Sequence, residues 1–357
     1  MSSVLRLTNK NLLAFALLAT SLSVSAGQPQ IAPPEYDEVF QVQYITRGAP
    51  VKSKAECDAT PNAVWITAKW LDKGAFSDST ESTTECIRYF PSDNAIGAKT
   101  AMFFFSGDIV LDRGVSDNMV NPGYPANSYK AQVAIANRLA NANGIPYLHV
   151  ARPGMFGSTG NTATHRHSAK EAAIVNAAVD AIKAESSYDR ISIVGQSGGG
   201  GLVGALLTSG RTDLDCVVMS SGSVSLKTNL KSAKSKLNVR NGQDTTGLPY
   251  RQLYDSLDYL GNAKPDAKRR VFMLSDPDDE AVSFVSQKEF ADRANEKGIP
   301  IKFIIAKGSG KQHHGTSAQG IRTVGRCLAG MSDDEIAAKI AENAPAMFSS
   351  AGKTEPQ

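Results

Sequence analysis

From Ala101 onwards the chain alternates between apolar runs of strand length and longer segments whose apolar residues recur every three or four positions. The runs are Ala101–Phe105, Pro146–Val150, Ile191–Val194, Cys216–Met219, Val271–Leu274 and Ile301–Ile305. Nearly every position in them is apolar, as parallel strands require when helices cover both faces of a sheet. Between them the spacing predicts helices over 128–143, 168–185, 198–209, 284–298 and 316–343. In the second of these, Ala172, Ile174, Val175, Ala178, Val179 and Ile182 form one helical stripe. Upstream, Val39–Tyr44 reads as a strand, and the β-rich runs Val64–Ala68 and Cys86–Phe90 are suited to antiparallel pairing at a sheet edge. The pattern as a whole predicts a doubly wound α/β fold, mostly parallel, with antiparallel N-terminal edge strands.

One stretch breaks the alternation. Residues 221–269 are polar and lysine-rich and lie between two strands that a short connection would join. A connection of that length is usually functional or carries structure of its own, and it is read as a lid inserted in the domain. Its Lys227, Lys231, Lys234, Lys236 and Arg240 are read as a solvated face rather than an anion-attracting rim.

The chemistry concentrates where Ile191–Val194 runs into Gly195-Gln196-Ser197-Gly198-Gly199 and then into a helix. G-x-S-x-G on a strand-to-helix turn holds a serine hydroxyl clear of the backbone, and the positions two before and two after it must be small. Gly195 and Gly199 meet that demand. The Gly198 amide, at the helix N-terminus, is placed to face a developing oxyanion. Gly199, Gly201 and Gly204 also satisfy G-x-G-x-x-G. A dinucleotide site, however, wants an acid at the end of the next strand, where this chain has Val218-Met219-Ser220-Ser221.

A serine nucleophile needs a base, and in a hydrolase built on such a sheet the order is serine, acid, histidine. Of His149, His165, His167, His313 and His314, only the last two follow Ser197, and they lie just after the last strand. His314 is preferred because its small neighbour Gly315 would let the ring swing over the serine, with His313 still open. The acid belongs after the preceding strand, where Asp276, Asp278 and Asp279 all lie. Asp279 is preferred for its D-x-x-V context with Val282, and Asp276 and Asp278 are read as turn and capping residues.

On these residues the chain resembles the α/β-hydrolase family over nearly all of 27–357, in the manner of secreted esterases or prolyl-oligopeptidase-like enzymes. The resemblance extends to Phe104-Phe105-Ser106-Gly107-Asp108 at the end of an early strand, where many members carry His-Gly-x and use the amide of x as second oxyanion donor. It implies that role for the Asp108 amide, with Ser106 in place of the family's histidine. Ala151-Arg152-Pro153-Gly154-Met155-Phe156-Gly157-Ser158 is similar to the family's turn beside the active site, with its second glycine one residue late. Arg152 is read there as a structural arginine bonding loop carbonyls.

Composition narrows the setting. The chain has 357 residues, 41% apolar and 20% charged, which excludes disordered, collagenous and coiled-coil classes. Residues 1–26 read as a signal peptide, with Arg6 and Lys10, an apolar run Leu12–Ala19, and Val24-Ser25-Ala26 before Gly27. That run is well short of the ~20 apolar residues that span a bilayer. The expectation is an exported protein, periplasmic or secreted, without stable membrane insertion. Four cysteines fit an oxidising setting, and the architecture favours Cys57–Cys86 and Cys216–Cys327. Without Arg6 and Lys10 the formal charge of +3 falls to about +1, so nucleic acid is not an expected partner. His165 and His167 form an H-x-H pair with no ligand cluster beside them and are read as a solvated loop. No metal or cofactor is implied. The sequence therefore predicts an exported serine hydrolase cleaving a carboxylic ester or a short acyl substrate through Ser197, His314 and Asp279. The alternatives are a peptidase or amidase of prolyl-oligopeptidase type, and a binding protein that keeps the fold without catalysis.

Overall fold

The computed structural model describes residues 32–73, 77–109, 127–231, 248 and 251–342. The leader at 1–26, together with Lys234, Lys236 and Arg240, lies outside them. Eight strands form one sheet: β1 (Ala63–Lys73), β2 (Asp78–Pro91), β3 (Met102–Phe105), β4 (Tyr147–Val150), β5 (Ile191–Gln196), β6 (Leu214–Ser220), β7 (Arg270–Ser275) and β8 (Ile301–Ile305). Their spatial order is β1-β2-β4-β3-β5-β6-β7-β8. The strands from β4 to β8 are parallel neighbours, while β1 pairs antiparallel with β2 and β2 antiparallel with β4. This is the α/β-hydrolase fold with antiparallel N-terminal edge strands.

The apolar runs alternate with period two between the faces of the sheet. Phe103, Phe105, Ile193, Val217, Met219 and Met273 meet the helices Ala169–Ser186, Gly198–Thr208 and Phe284–Glu296 in one core. Met102, Val194, Val218, Phe272, Leu274 and Ile304 meet Tyr129–Asn143, Ser317–Leu328 and Asp333–Glu342 in the other. Cys57 is bonded to Cys86, and Cys216 to Cys327, closing spans of 29 and 111 residues. No helix among the described residues is long and apolar enough to cross a membrane.

Three expectations change. Val39–Tyr44 is not a strand: Val39 makes an isolated bridge to Ser128, and Tyr44–Arg47 is helical. Phe40 and Ile45 both bury in a cluster with Phe90, Tyr129 and Phe156, and a five-residue spacing would send them to opposite faces of a strand. The helix expected over 316–343 is two helices, parted at Gly330 with φ 78° and restarted by Ser332, whose hydroxyl accepts from the Glu335 amide while Glu335 accepts from the Ser332 amide. The first hairpin outruns its apolar runs, because the polar strand residues 78–85 pair with β1.

Of the 221–269 insertion, residues 221–231, 248 and 251–269 are described. Leu226, Leu230 and Leu253 form a small core of their own, and the turn Ser256–Asn262 packs on the helix Gly198–Thr208. Lys227 pairs with Asp258 at the surface.

Candidate active site

Ser197 joins β5 to the helix Gly198–Thr208 with φ 58° and ψ -121°, a conformation that a non-glycine residue adopts only when its surroundings hold it there. They do so through three backbone bonds. The Ser197 amide donates to Ser220 O (2.9 Å), and its carbonyl accepts from the amides of Gly201 and Ser223 (both 3.0 Å). The turn is so tight that a Cβ on Gly195 would lie 2.2 Å from Gly199 O, and one on Gly199 would lie 2.2 Å from Phe105 O. The loop after β3 therefore packs directly on the elbow.

The acid and the histidine meet. His314 Nδ1 lies 3.0 and 2.9 Å from the two carboxylate oxygens of Asp279. Asp279 is 1% exposed, and its Oδ1 also accepts from the amides of Ala281 and Val282 (2.8 and 2.9 Å), which gives the D-x-x-V spacing its physical reason. Asp276 behaves as a turn residue, accepting from the amides of Asp278 and Gly308 (2.9 and 2.7 Å). His313 is much more exposed than His314 and lies 3.6 Å from Asp276. Gly315 is small for a different reason from the one expected: a Cβ there would meet Ser309 Oγ at 2.3 Å, where Ser309 and Gly315 close the histidine loop on itself.

Among the described residues, Asp276, Asp278 and His313 also bring possible ligand atoms within 4.8 Å of one another, a grouping the spacing did not suggest. Two backbone amides already occupy the Asp276 carboxylate.

Asp108 brings more than a backbone amide. Its carboxylate lies over the elbow, so that a Cβ on Gly198 would fall 2.2 Å from Asp108 Oδ1. Arg152 holds that oxygen at 2.7 Å, and His167 Nε2 and Arg166 Nε lie 3.1 and 3.7 Å from Oδ2. Burial alone would raise the Asp108 pKa, but His167, Arg152 and Arg166 together hold it well below the usual carboxylate range. Arg152 is 0% exposed and also bonds Ser106 O and Glu171, so it is the structural arginine expected.

The H-x-H pair is not a solvated loop. His167 sits in this ion cluster, and burial pulls His165 down to about 4. Glu171, which the sequence did not single out, lies on the apolar stripe, three and four residues before Ile174 and Val175. Beside Gly198 is a cleft of about 20 Å³, lined in part by His167, Leu202, Ser223, Leu226 and Tyr254. A larger cavity of about 280 Å³ lies among Pro33, Tyr36, Pro91 and Tyr129, away from these groups. Chemistry, not cavity size, marks the site.

A serine elbow on the middle strand of a doubly wound sheet, followed in chain order by a bonded acid and histidine, is the layout of the α/β-hydrolases, and the chain is a serine hydrolase of that fold. Residues 162–325, from just before the helix Ala169–Ser186 into the helix after β8, match the prolyl oligopeptidase family. No curated protein matches the chain.

Solved structures that it resembles include the esterase Pf2001 of Pyrococcus furiosus, at 14% identity over 80% of this chain and 98% of that one, with a TM-score of 0.45. An acylaminoacyl peptidase of Pyrococcus horikoshii is similar at 15% identity over 76% of this chain and 41% of its own, with a TM-score of 0.46. Est1E from Butyrivibrio proteoclasticus, solved with ferulic acid bound, is similar at 14% identity over 72% of this chain and 95% of that one, with a TM-score of 0.46.

Proposed function

We propose that the protein is an exported esterase that cleaves a carboxylic ester. Ser197 Oγ attacks the carbonyl, and His314 takes its proton and returns it to the leaving alcohol. Asp279 accepts from His314 Nδ1, fixing the tautomer and stabilising the imidazolium. The amides of Gly198 and Asp108 donate to the tetrahedral oxyanion, and water then releases the acyl-enzyme. The observation that carries this reading is the Asp279–His314 pair at 2.9 Å, on the loops and in the chain order that a base for Ser197 requires. The lining of the cleft beside Gly198 by Ser223, Leu226 and Tyr254 supports the 221–269 insertion as a cap. Two disulfides support an oxidising compartment, and with the leader they support export.

A peptidase or amidase activity is the second reading, favoured by the match to the prolyl oligopeptidase family. Hydrolysis of p-nitrophenyl acetate and butyrate, beside aminoacyl and acyl-peptide p-nitroanilides, separates the two. The esterase reading expects the esters to be preferred in kcat/KM. Ser197→Ala and His314→Ala are each expected to lose about 10³-fold or more in kcat, and His313→Ala to stay within about threefold of wild type. A large loss in His313→Ala with none in His314→Ala would reverse the assignment of the base.

A further inference from the structure

The residue before the nucleophile has a side chain that the G-x-S-x-G reading does not use. Gln196 reaches across to the histidine loop and makes two complementary bonds there. Its Nε2 donates to His314 O at 2.7 Å, and its Oε1 accepts from the Thr316 amide at 3.1 Å and the Thr316 hydroxyl at 3.4 Å. The partners lie 118 and 120 positions along the chain. Only a primary amide of this length offers a donor to the carbonyl and an acceptor to the amide at once. Thr316 is 0% exposed, and its hydroxyl is also within 3.0 Å of Ser221 Oγ, which lies just after β6.

We infer that Gln196 is a positioning residue, which locks the backbone of His314 to the nucleophile elbow so that the base keeps its place over Ser197. The inference rests on the reading of Ser197 and His314 given above. His314 is held twice: Asp279 holds the ring, and Gln196 holds the main chain that carries it. Within the loop closed by Ser309 and Gly315, residue 314 has no secondary-structure bond of its own to fix its main chain. A shift of about 1 Å there is enough to cost on the order of a hundredfold in rate, whereas ground-state binding would hardly change.

The test compares wild type with Gln196→Met, which keeps the length and removes both bonds. Gln196→Glu is the second variant; ionised, it keeps the acceptor for Thr316 but turns an anion toward the His314 carbonyl. Steady-state kinetics on p-nitrophenyl butyrate, the rate of fluorophosphonate labelling and the thermal midpoint are measured for each. Both variants are expected to lose about 10- to 100-fold in kcat, with KM within about twofold and labelling slowed in parallel. A purely structural role would lower the midpoint and leave kcat and labelling unchanged.

Wild-type kcat and labelling in either folded variant would overturn the inference, as would a loss confined to KM. If Gln196→Met does not fold, Gln196→Glu decides. Ser197→Ala and His314→Ala are run beside them. If those retain activity, the triad reading itself fails and the positioning role falls with it; if they are inactive while the Gln196 variants are unimpaired, only the positioning role fails.

Discussion

The residues that matter at the site are fixed by what their neighbours leave no room for. Residue 198 must be glycine because the Asp108 carboxylate fills the space a Cβ would take, residue 195 because a Cβ there would strike the carbonyl of Gly199 within the elbow itself, and residue 199 because the elbow meets the end of β3 and the loop after it at backbone distance. The candidate serine, acid and histidine could be proposed from the sequence because chain order in this fold eliminates most alternatives: two of five histidines follow Ser197. Of His313 and His314, it is His314 whose Nδ1 lies 3.0 and 2.9 Å from the oxygens of Asp279. The ion cluster around Asp108 was not legible, since its members come from residues 108, 152, 166, 167 and 171, and a local pattern carries no sign of charges that meet through the fold. Asp279→Asn keeps the shape of its site but offers an NH₂ where His314 Nδ1–H needs an acceptor. It is expected to lower kcat by about 10³- to 10⁴-fold with the thermal midpoint little changed. Activity within tenfold of wild type would remove Asp279 from the mechanism.

At the scale of elements, the six core strands and the helices between them follow from the apolar patterns, because a run apolar at every position has only one comfortable place in an α/β domain. The misreadings fall where pattern and packing part company. Val39–Tyr44 looks like a strand until Phe40 is seen to bury together with Ile45, and the polar residues 78–85, outside the expected run Cys86–Phe90, join β2 by pairing with β1. The break near Gly330 had a local signal in Ser332-x-x-Glu335, a capping box that apolar periodicity does not weigh. Caps also offer a control that separates stability from activity. Ser128 caps the helix Tyr129–Asn143 by accepting from the Ala131 amide at 3.3 Å. Ser128→Ala is expected to cost about 1 kcal/mol and roughly 2 °C of thermal midpoint while leaving kcat unchanged, by calorimetry and ester hydrolysis together.

For the whole molecule, two apolar layers and two long-range disulfides hold a single sheet that carries Ser197 at the end of its middle strand β5. The same burial gives stability a pH dependence. His149 is 4% exposed among Phe90, Phe104 and Phe156, and burial pulls its pKa from 6.5 to about 3. Between those values the unfolded chain binds a proton that the folded chain does not, so stability rises with pH across that window and is lost as pH falls from about 6.5 toward 3. His165, drawn down to about 4, acts in the same direction. Urea unfolding at pH 7 and pH 4.5 is expected to show a loss on the order of 2 kcal/mol that is smaller in His149→Gln. An equal loss in both proteins would mean that His149 is not buried neutral.

The central claim is that Ser197 is an activated nucleophile. Its most direct test is the intact mass of the purified protein after reaction with a fluorophosphonate, beside Ser197→Ala. The account predicts a single covalent adduct on the wild-type protein, mapped to the peptide containing Ser197, and none on the variant. Well-folded wild-type protein that stays unmodified, or a variant modified at the same rate, would contradict it.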